Sequence, residues 1–217
     1  MMEKIIKGVV KFQNEAFKAN KDLFSELANG QSPEVLFITC ADSRIDPNMI
    51  TQTEPGDLFI LRNAGNIVPP HVKVAGGVTA SIEYSIAVLD VKHIVVCGHT
   101  DCGAMKGALN PESLEDLPHV QNWLDNSRAA VEIVEARCGK VTAEELPMVT
   151  EENVLLQLQH LRTHPAVASR LASGKITLHG WVYHIEDGAV TCHDETLKKF
   201  VTFQEHYADI LETSAAA

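Results

Sequence analysis

Two short stretches of the chain concentrate side chains able to hold a metal. One is Cys40-Ala41-Asp42-Ser43-Arg44; the other is Cys97-Gly98-His99-Thr100-Asp101-Cys102-Gly103. Taken together, Cys40, His99 and Cys102 offer two thiolates and one imidazole, a soft-to-borderline donor set that suits Zn²⁺ better than Mg²⁺ or Ca²⁺. Three protein ligands leave one tetrahedral vertex open for solvent or substrate, the pattern of a catalytic site and not of a closed structural one. A carboxylate two residues after a ligand can accept a hydrogen bond from the solvent at that vertex. An arginine two residues further can hold the carboxylate still, which gives Asp42 and Arg44 their expected roles. Cys102 sits where a helix begins, and a helix N-terminus favours thiolate. Cys97, Cys138 and Cys192 read instead as small buried hydrophobes, and the other nine histidines are not assigned as ligands. The Gly98–Gly103 spacing mimics a phosphate-binding loop, but Ala104 and Met105 stand where Lys and Ser/Thr are required, so that reading is rejected.

A joint site requires elements that bring the two stretches together. Val35–Ile38, Leu58–Leu61 and Ile94–Val96 are short, nearly continuous apolar runs, the mark of strands buried on both faces of a parallel sheet. Each candidate cluster directly follows one of these runs, and ligands in open α/β sheets bind beyond the carboxyl ends of strands. Asp46-Pro47 predicts a capped short helix. Helices are also expected over 4–28, 75–89, 103–109, 113–137 and 151–163. A strand over 176–185 turns through Glu186-Asp187-Gly188 into a hairpin partner at 189–192, and the tail from Asp194 is expected to be helical and to fray from Thr213. The expectation is one α/β domain. Its mainly parallel central sheet has about four strands plus a late antiparallel edge strand, flanked by helices. The divisions are an N-terminal helical arm (1–30), an α/β core (34–193) and a C-terminal tail (194–217).

Composition narrows the partners. The 217-residue chain is 45% hydrophobic and 22% charged, a folded globular balance. Its 18 Lys+Arg against 29 Asp+Glu leave a net charge of −11, which disfavours nucleic acid and anionic membrane surfaces. No run is long and apolar enough to span a membrane, and charges interrupt every apolar run of the N-terminus, so no signal peptide is read there. With five cysteines, an odd number, reduced thiols and a cytoplasmic location are expected.

The order C-A-D-S-R-I-D-P, then C-G-H-T-D-C-G-A-M about sixty residues on, resembles the β-class carbonic anhydrases, plant-like and cyanobacterial-type members in particular. Gly56–Phe59, Arg62–Pro70 and Leu178–Trp181 are also similar to that family, and the likeness spans about residues 2–203. The resemblance implies reversible hydration of CO₂ to bicarbonate and a proton by attack of zinc-bound hydroxide, with one Zn²⁺ per subunit on Cys40, His99 and Cys102. It implies Asp42 and Arg44 as the catalytic dyad. Gln31, Phe59 and Tyr84 would complete the substrate pocket from the neighbouring subunit, and Ala64 and Gly103 would line its floor. A homodimer or higher even-numbered homo-oligomer follows, with the N-terminal helix packing on a partner subunit.

Two departures stand out. Val88 occupies the place of a candidate proton-shuttle histidine found in some plant members. Phe37 replaces the tryptophan of the bicarbonate-sensing bacterial subgroup, so cooperative bicarbonate inhibition is expected to be weak or absent. Two other readings use the same zinc site: hydrolysis of a CO₂ analogue such as carbonyl sulfide or carbon disulfide, and a non-catalytic zinc scaffold. Whether Asp42 itself turns onto the metal is left open by the sequence.

Overall fold

The computed structural model describes residues 1–73 and 76–215. Six strands form one sheet in the order β2-β1-β3-β4-β5-β6. Val35–Cys40 (β1), Leu58–Asn63 (β2), His93–His99 (β3) and Thr177–Tyr183 (β4) run parallel. Val190–Asp194 (β5) and Lys199–Thr202 (β6) are antiparallel. The chain leaves β1 for β2 on one side and then returns to place β3 on the other, so the strand order reverses between β1 and β3. Ligand crevices form at such a reversal, outside the carboxyl ends of the strands.

Alternation along the strands sorts side chains into two layers. Leu36 and Ile38 of β1, Ile94 and Val96 of β3 and Val182 of β4 face Ile82 and Ile86 of α5, Val154, Leu158 and Leu161 of α9, and Val167 of α10. These helices span Gly77–Ala87, Leu146–Arg162 and Pro165–Ala172. Phe37, Val95 and Cys97 lie on the other face with Trp181 and Tyr183. Helix α9 lies so close to β3 that a Cβ on Gly98 would come within 2.9 Å of Val154 Cγ2; only a residue without a side chain permits this approach.

Shorter elements complete the sheet-bearing unit. Pro47–Thr51 (α4) has Asp46 as its N-cap, accepting from the Met49 amide, and proline in its first turn. Gly103–Leu109 (α6), Pro118–Leu124 (α7) and Arg128–Cys138 (α8) follow β3. The helix expected over 113–137 is therefore interrupted, with 3₁₀ turns at Pro111–Leu114 and Asp125–Ser127 and Pro118 opening α7.

The tail departs from expectation. Asp194 does not open a helix; its carboxylate accepts from the amides of Thr196 and Leu197, tightening a turn that returns the chain into β6. There are thus two antiparallel strands where one was expected. The helical signal belongs further on, to Thr202 and Glu205, whose capping box starts Phe203–His206 (α11). Ala208–Ala215 (α12) is helical, as expected up to 212 and in place of the fraying expected from Thr213, and 216–217 lie outside the described residues.

Residues Met1–Ser32 form a separate compact unit. The single helix expected over 4–28 is divided: Met2–Lys11 (α1) continues through a π-helical turn at Phe12–Ala16 into Phe17–Ala19 (α2), and Lys21–Leu27 (α3) follows after Asn20. No residue of these helices is buried. Phe17 stacks on Phe24 and Phe12 meets both edge-on, with ring centroids 5.0–6.1 Å apart. Among the described residues no helix is long and apolar enough to cross a membrane.

Candidate metal centre

The strand reversal brings the two donor-rich stretches together. Cys40 ends β1 and His99 ends β3, while Cys102 is the N-cap of α6. Between the last two, Asp101 takes a left-handed φ of 58°, which turns the chain tightly enough for both donors to face Cys40. The two sulfurs lie 4.0 Å apart, and all three donor atoms fall within 4.8 Å of one another. This is the only such group of donors among the described residues, and its members are 5%, 0% and 1% exposed.

The donors fit Zn²⁺. Two thiolates bonded at ~2.3 Å across a tetrahedral angle sit about 3.8 Å apart, close to the spacing found. His99 Nδ1 lies 2.8 Å from the Thr100 carbonyl. A carbonyl only accepts, so Nδ1 carries the proton and Nε2 presents its lone pair. Nε2 is buried with no hydrogen-bond partner among the described residues, an arrangement that is costly for a polar atom unless something binds there.

The thiols behave as a pair. A hydrogen bond from Cys102 is the main reason the Cys40 thiol is held well below its usual range, against the opposing effect of burial. The Gly65 amide, 3.4 Å from Cys40 Sγ, assists. The same contact, together with burial, drives Cys102 upward. The first proton therefore leaves easily and the second stays until a cation offsets two adjacent negative charges. Gly65 earns its place here: its φ is +81°, and a Cβ would meet Ala104 Cβ at 3.0 Å.

Asp42 stands at the mouth of the site, with Oδ2 3.9 Å from His99 Nε2. Arg44 grips it with two parallel bonds, Nε to Oδ1 at 2.9 Å and Nη2 to Oδ2 at 2.8 Å. Chiefly through those bonds, the Asp42 carboxyl is held well below the usual carboxylate range. Arg44 is itself anchored by Asp101, with Nη1 2.9 Å from Oδ2. Lys106 also pairs with Asp101; these two cations, Arg44 first, lower the Asp101 pKa to about 2. Arg62 braces the loop from below, donating to the Cys40 carbonyl at 3.1 Å and the Asp42 carbonyl at 2.7 Å.

The expected pocket residues are distributed differently. Ala64 follows β2, its carbonyl accepting from Trp123 Nε1 at 2.8 Å, and Gly103 opens α6 with free space where a Cβ would stand. Phe59 and Tyr84 pair with each other at 6.1 Å, but Phe59 is in register with Leu36, four residues before Cys40. At ~3.3 Å per residue that is ~13 Å along the sheet from the metal ligands. Gln31 belongs to the N-terminal unit. Cys97 and Cys192 are buried as expected, burial pushing the Cys97 thiol up to about 12. Cys138 is a correction: it ends α8 exposed, its sulfur 3.9 Å from Met148 Sδ. The arginine at 62, the carboxylate at 101 and the glycine at 65 were not assigned roles from sequence. A glycine within Arg62–Pro70 was the one signal available; the other two act through neighbours that only the fold supplies.

A doubly layered α/β sheet with a Cys–His–Cys donor set at its strand reversal defines a class of metal-site enzyme, and the comparisons with known proteins place it. The carbonic anhydrase family profile matches residues 35–190. A carbonic anhydrase from Pseudomonas aeruginosa is 47% identical over 94% of this chain and 93% of its own. One from Synechocystis is 46% identical over 94% of this chain and 75% of its own. The structure of the β-carbonic anhydrase CcaA superposes with a TM-score of 0.89 at 45% identity, covering 93% of this chain and 91% of that one. The chain belongs to the carbonic anhydrase family, within its β class, and is an enzyme of the lyase type.

Proposed function

We propose that the chain catalyses the reversible hydration of CO₂ to bicarbonate and a proton, using one Zn²⁺ held by Cys40, His99 and Cys102. The observation that carries this reading is the bare, buried Nε2 of His99 facing two close sulfurs, with an ionised carboxylate fixed 3.9 Å from it. A bound Zn²⁺ supplies a nucleophile near neutral pH by lowering the pKa of a water it binds, an effect whose reference case is a carbonic anhydrase with three histidine ligands.

The protein's own groups do the rest. Because both oxygens of Asp42 accept from Arg44, the carboxylate stays ionised and can only accept. It takes a hydrogen bond from the attacking solvent molecule and aims that molecule's lone pair at the CO₂ carbon. Arg44 takes one lone pair of Oδ2 and leaves the other free, so Asp42, held in place by the arginine, serves here as the group that orients the solvent. Ala64 and Gly103 leave room for a small linear substrate. The ~13 Å that separates Phe59 from its own chain's ligands supports assigning Phe59, Tyr84 and Gln31 to the pocket of a partner copy in a homodimer or larger even-numbered assembly. A fungal relative from Sordaria macrospora, 30% identical with a TM-score of 0.78 over 88% of this chain and 95% of its own, is described as tetrameric. A site that depends on two free thiols supports a reducing compartment, the cytoplasm.

The test is stopped-flow CO₂ hydration across pH, with metal analysis of the same preparation. Near-stoichiometric zinc and hydration far above the buffer rate are expected. A zinc-loaded protein that fails to hydrate CO₂ overturns the reading.

A further inference from the structure

His99 can serve as a ligand only while Nδ1 is held as a donor, and what holds it is a single carbonyl, that of Thr100. That residue is fixed by its own amide and hydroxyl. The Thr100 amide donates to the Tyr183 carbonyl at 3.0 Å, continuing the β3–β4 ladder one residue past the end of β3. Its hydroxyl accepts from the Ile185 amide at 3.0 Å and donates to Glu186 Oε2 at 2.8 Å. One residue thus ties the end of β3 to the end of β4 by one bond and to the β4–β5 connection by two, while its carbonyl selects the imidazole tautomer.

We infer that Thr100 and Glu186 are positioning residues that keep His99 Nε2 aimed at the metal. Glu186 lies in the turn between β4 and β5, where its carboxylate accepts from the Thr100 hydroxyl and from its own backbone amide and makes no ion pair among the described residues. Without the hydroxyl, the Ile185 amide and the Glu186 carboxylate both lose that partner, and the Thr100 carbonyl is fixed by one bond instead of three. The imidazole then rotates more freely, and Nε2 meets the two sulfurs less often in the right direction. Groups that orient a metal-bound histidine from outside the ligand set are generally worth about 10- to 100-fold in metal affinity.

The inference rests on the zinc reading above, and the experiment separates the two. Zinc affinity is measured by chelator competition on the full chain for the wild type, Thr100→Val, Thr100→Ser and Glu186→Ala, and the visible spectrum of each Co²⁺-substituted protein is recorded. The expected result is a drop of about tenfold or more for Thr100→Val, a smaller drop for Glu186→Ala, and wild-type behaviour for Thr100→Ser. The cobalt bands should shift in the first two only. Wild-type affinity and an unchanged cobalt spectrum in Thr100→Val overturn the inference while leaving the zinc reading intact. Should Thr100→Val fail to fold, unchanged values in Glu186→Ala do the same, since that side chain is at the surface. A wild type that binds no zinc sinks the underlying reading instead.

Discussion

The two ends of strands β3 and β4 use histidine in opposite ways. At the carboxyl end, His99 is fully buried and its Nε2 has no partner among the described residues. At the amino end, His93, Thr177 and His179 satisfy one another. The Thr177 hydroxyl lies 2.6 Å from His93 Nδ1 and 3.0 Å from His179 Nε2, while Tyr207 takes the remaining nitrogen of His179 at 3.3 Å. Trp181 closes that network by donating to the Tyr207 hydroxyl. The lesson is that the number of nearby donors does not make a metal site. What matters is a lone pair that the fold aims and then leaves unanswered, next to thiols whose second proton only a cation displaces.

The sharpest break of this comparison is a pair of substitutions. His99→Ala should remove zinc and bring CO₂ hydration down to the uncatalysed rate, whereas His93→Ala should keep both within about twofold. Metal analysis and stopped-flow assays on the two variants decide it, and equal losses would erase the distinction between the ends. A finer cut lies within the carboxyl end. Asp42→Asn keeps all three ligands but loses the ionised acceptor, so hydration should fall by about 10- to 100-fold with zinc content unchanged. Parallel loss of zinc would make Asp42 a structural support of the ligands.

The smallest effect belongs to the amino end and to pH. Burial, with His93 and His206 nearby, pushes His179 down to about 4. Between pH 6.5 and 4 the unfolded chain binds a proton that the folded chain refuses, so this group leaves stability intact above pH 6.5 and lowers it as pH falls toward 4. A single such group contributes a slope of at most ~1.4 kcal/mol per pH unit. Denaturant unfolding of His179→Gln against the wild type should show a flatter pH dependence in that window. Below it, the depressed carboxyls of Asp42 and Asp101 take over, their ion pairs being lost as pH drops through their lowered values.

Much of the carboxyl end was legible because its signals are local. Uninterrupted apolar runs marked β1, β2 and β3, and donor residues directly beyond two of them marked the Cys40, His99 and Cys102 cluster that the fold brings together. Strand β6 escaped because Lys199–Thr202 has four residues and one buried side chain, Val201, too little pattern to compete with a helical reading. Helix α10 was also missed, although His164-Pro165 opens it and Gly174 follows it closely, because its apolar stripe of Ala166, Val167 and Leu171 runs over only eight residues. Arg62, Asp101 and Glu186 were beyond reach for another reason. Each acts on a partner 20 to 86 positions away, and nothing in a linear spacing announces which surface charge will meet which loop.

The ligands' separation has a consequence for the whole chain. Cys40 and Cys102 are 62 positions apart, so an ion gripping both acts as a removable clasp between distant segments. An extended chain has no such prearranged grip, and mass action therefore links metal supply to the folded population, by roughly 2.7 kcal/mol at a hundredfold excess over the dissociation constant. Where that ion is the proposed zinc, scarcity would cost more than turnover: the polypeptide itself would become easier to open and to degrade.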